Sequence, residues 1–272
     1  MLTIITGVNL NITEGISMSI IQIVFSPTGG TQKVADIITS EWNEPVRKID
    51  LSDPDTDFSS ICLDKEDVAV IAVPSFGGRV PEPAVKRLEE IRGNEALCTA
   101  VCVYGNRAYE DTLIELSDAA RKSGFRVIAG IAAVAEHSIM HQYASGRPDQ
   151  KDESELRNFA KKIHEKISGD PSGLTSPEIP GNRPYKKAGG AALIPKANNK
   201  CTGCGICAEN CPTRAISKDH LKTADSTKCI SCMRCVARCP HKARKINAAV
   251  AAVAAQAIKK ACSQRKEDEL FC

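Results

Sequence analysis

Eight of the thirteen cysteines in this 272-residue chain fall between positions 201 and 239. They repeat one pattern. Cys201, Cys204, Cys207 and Cys211 precede Pro212, and Cys229, Cys232, Cys235 and Cys239 precede Pro240. A thiol at every third residue lets three sulfurs wrap one inorganic cube, and in such paired runs the fourth thiol ligates the cube of the other repeat. One expected [4Fe–4S] set is therefore Cys201, Cys204, Cys207 and Cys239. The other is Cys229, Cys232, Cys235 and Cys211. Gly203 and Gly205 let backbone N–H groups approach the sulfides, and each proline fixes the chain just after the crossing ligand. Structural zinc is held by separated pairs of ligands, which leaves the third and fourth thiols of each run without a role.

A second segment could hold an anion. Ser26-Pro27-Thr28-Gly29-Gly30-Thr31-Gln32 joins an apolar run to a helical pattern. It lacks the Gly-Lys-Ser/Thr ending of a P-loop and the spacing of a dinucleotide turn. Its three hydroxyls, two glycines and helix N-terminus suit one phosphate monoester dianion, held by neutral donors because no lysine lies inside the loop.

The elements that must position these groups are readable. Ile20 to Phe25 and Val68 to Val73 are continuous apolar runs, as in strands buried on both faces. Val46 to Leu51, Thr99 to Tyr104 and Arg126 to Val134 read as three more strands. Helical spacing covers Thr31 to Ser40, Pro83 to Ile91, Asp111 to Lys122 and Glu153 to Ile167, with Gly124 placed to end the third helix. Five strands alternating with helices predict an α/β doubly wound parallel sheet over residues 18–167, whose loops after the strand ends gather on one edge. Residues 1–17 read as an extension or an upstream start, with a short extra strand as the alternative. Residues 168–196 are a Gly/Pro-rich linker and 197–245 a small α+β cluster domain. Residues 246–272 hold an Ala-rich helix and a charged tail whose last ten residues are expected to fray.

Composition narrows the classes. Hydrophobic residues make up 42% of the chain, enough for a core. The longest uncharged apolar run, Ala248 to Ile258, falls short of the roughly 20 residues that span a bilayer, and the start lacks a basic signal-peptide region. A cytoplasmic protein without membrane contact is expected, and its thirteen cysteines then point to metal rather than disulfides. Lys+Arg 36 against Asp+Glu 33 is too balanced for a nucleic-acid protein. The cluster segment itself carries ten Lys/Arg against three Asp/Glu, an excess that offsets cluster charge or steers an acidic protein partner. Cys62, Cys98 and Cys102 read as buried, and Cys262 and Cys272 as bystanders.

The cysteine segment resembles the two-cluster bacterial ferredoxin module, over all eight ligands. The loop at Ser26 resembles the flavodoxin Thr/Ser-x-Thr-Gly-x-Thr pattern, and the resemblance extends over residues 18 to about 167. It implies strand order 2-1-3-4-5 and an FMN site, with Ser26, Thr28, Gly29, Gly30, Thr31 and Gln32 at the phosphate. Ser75, Phe76, Gly77 and Gly78 after the third strand would face the flavin ring, with Tyr104, Gly105, Asn106, Arg107 and Tyr109 after the fourth. Arg79 and Arg107 depart from the acidic flavin surroundings of many flavodoxins. Trp42 reads as core. His137 reads as an exposed loop residue, with reach to the flavin as the alternative; His141 and Tyr143 follow it.

The whole chain is similar to the flavodoxin–ferredoxin fusions called EFR-type ferrodoxins. That resemblance implies an iron–sulfur flavoprotein moving electrons between FMN, two clusters and a separate redox protein. A homodimer is left open. The alternative function is an FMN-dependent reductase of a small molecule fed through the clusters, marked by an open pocket lined by His137, Arg79 or Arg107. A redox sensor is a third reading, with no DNA-binding element to support it.

Overall fold

The computed structural model describes residues 19–169, 173–189 and 193–272; the expected extension at residues 1–17 lies outside them. The N-terminal part alternates strands and helices: β1 (Ile20–Val24), α1 (Gly30–Ser40), β2 (Val46–Asp50), β3 (Val68–Pro74), α2 (Glu82–Glu90), β4 (Leu97–Tyr104), α3 (Thr112–Lys122), β5 (Arg126–Val134) and α4 (Gln150–Ser168). The central strands form for the reason their sequences suggest. Every residue of β1 and β4 is buried, and so are Val68–Val73 of β3, so these strands need apolar side chains on both faces. β2 is an edge strand with only Ile49 buried.

The five strands pair in parallel in the order 2-1-3-4-5. α1 and α4 cover one face, with Val34, Ile38, Leu156 and Ile163 fully buried there. α2 and α3 cover the other with Leu88, Leu113 and Leu116. Each such side chain contributes roughly 1.5–3 kcal/mol by burial. α3 ends as its sequence requires: Gly124 takes φ +83°, and the N–H groups of Gly124 and Phe125 cap the carbonyls of Arg121 and Ala120 at 3.0 Å each.

The C-terminal part follows. β6 (Lys196–Ala197) pairs antiparallel with β7 (Arg244–Lys245), closing a segment that holds two four-residue helices, α5 (Ile206–Glu209) and α6 (Arg234–Ala237). The duplication seen in sequence is structural. α5 starts after Gly205 at φ +78° and α6 after Met233 at φ +62°, the residue following the second cysteine of each run in both cases. α7 (Ala248–Ile258) is capped by the Asn247 side chain.

The tail corrects the expectation of a frayed end. β8 (Glu269–Phe271) adds a sixth strand, antiparallel to β5. Partners distant in sequence hold the approach to it. Asn106 donates to the carbonyls of Cys262 and Gln264 and accepts from Lys266 N. Arg147 donates to the Lys266 carbonyl, and Arg265 reaches Asp149 and Asp152.

The linker wraps α3 over residues 173–189. Ile179 is buried beside Gly130. Asp111 accepts from Asn182 and Lys186, and Asp118 accepts from Arg183 and Tyr185.

Candidate functional site

The eight cysteines separate into two groups. One cavity is lined by Cys201, Cys204, Cys207 and Cys239, the other by Cys211, Cys229, Cys232 and Cys235. Each gathers three thiols of one run and the last thiol of the other. Left-handed residues make the approach. Gly203 and Gly205 serve the first repeat, while Ser231 and Met233 adopt the same region in the second at φ +54° and +62°, a conformation L side chains take at a cost. The crossing thiols are matched: Cys211 Sγ accepts from Ala215 N and Cys239 Sγ from Ala243 N, both at 3.3 Å.

Around these sulfurs the medium is apolar. Burial pushes the thiols of Cys207, Cys229 and Cys235 up, and that of Cys232 up to about 12. Burial acts on Cys239 too, but the N–H groups of Ala243, His241 and Arg244 outweigh it and lower its pKa. Arg244 is 2% exposed and points Nη1 at Cys207 Sγ, 3.8 Å away. Coordinated iron is the charge that deprotonates such thiols outright. An all-thiolate set of four around a cavity fits a [4Fe–4S] group. Among the described residues, no three or more Cys, His, Asp or Glu side chains meet as a single-ion site.

The loop after β1 stands at the N-terminus of α1. Gly29, at φ +100°, caps the helix with open space where a Cβ would be. Gly29 has no side chain to cap this terminus and no acid lies in the first turn. Ser26 Oγ takes the Gln32 N–H, which leaves the positive dipole end and the N–H groups ahead of Gln32 to meet an anion. Thr28 is exposed and Thr31 buried. Ser26 Oγ accepts from Gln32 N at 3.0 Å, and Ser26 N donates to Ser52 Oγ. The Gln32 side chain turns away, to Gln22 and Asp36. A cleft of about 470 Å³ opens beside the loop, and its far wall is α6 of the cluster segment.

The loops after β3 and β4 lie at the same sheet edge and are tied together by Asp111 N donating to the Gly78 carbonyl. Their side chains are engaged within the chain. Ser75 Oγ meets Thr112 Oγ1 at 2.7 Å, Arg107 pairs with Glu110, and Tyr109 Oη donates to Glu269. Tyr104 and Tyr109 pack edge-on with centroids 5.3 Å apart. A Cβ on Gly77 would meet the Gly189 carbonyl, one on Gly78 the Glu110 side chain, and one on Gly105 the His137 ring. Phe76 is half-buried at the tip of a tight turn closed by Arg79. The fit to FMN is therefore carried by the phosphate end, with Phe76 the ring-loop aromatic not engaged by another ring.

Arg79 is held by Glu115 at 2.7 Å and by the Lys186 carbonyl. His137 is not an exposed loop residue: it lies under Gly105, its Nδ1 accepts from Ile139 N and Met140 N, and burial lowers its pKa. His141 pairs with Glu136, and Tyr143 donates to the Ala255 carbonyl. Trp42 is core, its Nε1 donating to the Ala160 carbonyl. Cys98 and Cys102 are buried, but Cys62 is exposed. Between buried Ile61 and Leu63 the chain alternates and turns Cys62 outward. Arg234 was invisible as a site residue, since nothing in its own run distinguishes it from a surface cation.

Residues 200–244 match the family of 4Fe-4S dicluster domains. The strand order of the first part is that of the flavodoxin-like sheet. The chain joins a flavodoxin-like domain to a 4Fe-4S dicluster domain. Among solved structures it is similar to the flavodoxin of Streptococcus pneumonia TIGR4 at 18% identity, covering 55% of this chain and 99% of that one, with a TM-score of 0.42. An NADH:FMN oxidoreductase in its apo form is 16% identical over 59% of this chain and 95% of that one, with a TM-score of 0.45. The two-electron reduced flavodoxin of Megasphaera elsdenii is 18% identical over 52% and 98%, with a TM-score of 0.35. No curated protein matches the chain in sequence.

Proposed function

We propose that this protein is an iron–sulfur flavoprotein that passes electrons between an FMN on the flavodoxin-like domain, two [4Fe–4S] clusters and a separate redox protein. One observation carries the reading: a four-thiol cavity is seated directly against the domain that bears the phosphate loop. Ile230, between the ligands Cys229 and Cys232, packs on the flavodoxin-like core. Arg87 of α2 donates to the carbonyl of Pro212, next to Cys211, at 2.6 Å. When bound, FMN supplies two-electron chemistry and each cluster a one-electron step.

The side chains position and tune. Cys211, Cys229, Cys232 and Cys235 would hold the cluster nearer the flavodoxin-like domain; Cys201, Cys204, Cys207 and Cys239 would hold the other. Arg244, whose side chain meets the sulfurs of Cys207 and Cys235, places a cation near both sets, and hydrogen bonds to sulfur are among the features that set a cluster's potential. Ser26, Thr28 and the backbone of Gly29–Thr31 would take the FMN phosphate. Arg79, Arg107 and His137, which would line a substrate pocket in a small-molecule reductase, are each held by the chain's own groups. That favours electron carriage. Anaerobic reconstitution followed by iron, sulfide and flavin assay tests the reading: about eight irons and about one FMN per chain are expected. Stoichiometric zinc without flavin would overturn it.

A further inference from the structure

We propose that Arg234 of the cluster domain completes a phosphate-monoester site on the flavodoxin-like domain, supplying the cation that the loop at Ser26 lacks. The identity of the phosphate's owner, FMN, rests on the function proposed above; the site itself does not.

The cleft beside the loop is lined on one side by Ser26, Thr28 and Gly29 and on the other by Arg234 and Arg238, with Lys48, which pairs with Asp36, and Asp50, which pairs with Arg234, also at its wall. Arg234 is 6% exposed, yet its Nε has no partner among the described residues. Its remaining nitrogens make only a 3.5 Å contact to the Ser26 carbonyl and a 3.2 Å contact to Asp50, whose carboxylate is half-exposed. A guanidinium offers five donors, and burying it without good partners is costly. Across the cleft stand the N-terminus of α1 with no acid in its first turn, the exposed Thr28 hydroxyl and an open glycine, Gly29. Planar donors on one wall and N–H groups on the other are complementary to one tetrahedral dianion.

The internal duplication isolates this as a local specialisation. Aligned by their cysteines, the two repeats put Ile206, Glu209 and Asn210 opposite Arg234, Ala237 and Arg238. Only the second set faces the cleft. At those three positions the repeat against the loop has lost an acid and gained two cations. Arg234 also lies between Cys232 and Cys235, so seating a phosphate braces the helix that carries a cluster ligand.

The test uses the full chain with clusters reconstituted anaerobically and flavin removed. FMN and riboflavin, which differ only by the phosphate, are titrated by flavin fluorescence against wild type and Arg234→Gln. Inorganic phosphate is followed by phosphorus NMR line broadening. Wild type is expected to prefer FMN, and Arg234→Gln to weaken FMN roughly 10- to 100-fold while leaving riboflavin unchanged. Cluster absorbance reports whether the variant is folded; if it is not, Arg238→Gln, an exposed position, gives the same readout with a smaller loss. Unchanged FMN affinity in the folded variant overturns the proposal and leaves the flavin reading intact. Equal loss of FMN and riboflavin also overturns it, because that marks a structural role. Wild type that binds neither flavin but broadens the phosphate signal, an effect lost in the variant, upholds the site and overturns the flavin reading. Binding of neither flavin nor phosphate overturns both.

Discussion

Asp268 shows how one residue in the tail sets a pH response. It is 5% exposed behind the end of β5, its Oδ1 accepting from Val134 N at 2.8 Å and its Oδ2 without a hydrogen bond among the described residues. Burial, reinforced by the charges of Asp152 and Glu155, outweighs the Val134 hydrogen bond and Arg147 and pushes its pKa up to about 7. In the unfolded chain an aspartate titrates near 3.9, about three units lower. Between those values the native state binds the extra proton, so unfolding free energy falls as pH rises from about 4 to about 7, and the loss persists above. Asp268→Asn keeps the acceptor for Val134 N and removes the titration. Its melting temperature is expected to gain on wild type from pH 5 to pH 8; a constant or shrinking gap across that range would contradict the account.

At the scale of elements, the linker and tail are fastened by polar contacts more than by apolar burial. Asp111, 1% exposed, accepts from Asn182 N and Nδ2 at 2.9 Å and from Lys186 N at 2.6 Å. Asp111→Ala leaves these donors to water and is expected to cost about 1–3 kcal/mol. The loss falls on the wrap, so tryptic cleavage after Lys187 should accelerate roughly tenfold or more, tracking the opened population, while the cluster absorbance stays intact. Unchanged cleavage would show that Ile179, the Asp118 contacts to Arg183 and Tyr185 and the Arg79 contact to the Lys186 carbonyl hold the segment without Asp111. The parallel strands and the grouping of the cysteines were legible because a strand buried on both faces is a continuous apolar run and cluster ligation is written as spacing. β8 was not legible. Three residues in a charged tail have no period to read, and their strand exists only because β5 offers an edge and Asn106, Arg147 and Asp149 grip the approach. The engaged ring loops were missed for the same reason: their glycines look open in sequence, and only folding brings Gly189 over Gly77 and His137 over Gly105.

For the whole molecule, the two cysteine cavities are not equivalent, and this orders the proposed route. The set Cys211, Cys229, Cys232 and Cys235 is fastened to the flavodoxin-like domain by Ile230, by Arg87 at Pro212 and by Arg234 at Ser26. The set Cys201, Cys204, Cys207 and Cys239 borders, at Cys201, a second cleft that carries Lys218 and Lys222 with Asp219, and Cys204 is exposed. Electron exchange weakens steeply with separation, so under the proposed function the first set would be the relay nearest the flavin and the second the port for an external protein. Its lysines would favour an acidic partner, with an exchange rate expected to fall as salt screens the attraction. Cys204→Ala and Cys232→Ala separate these roles under anaerobic conditions. With the port ligand removed, reduction started at the flavin should still bleach the surviving cluster, while exchange with an external redox protein fails. With Cys232 removed, the external protein should still reduce the surviving cluster, but electrons should no longer pass between it and the flavin. The opposite assignment of the two phenotypes would invert the route, because each variant leaves one cavity with its four thiols.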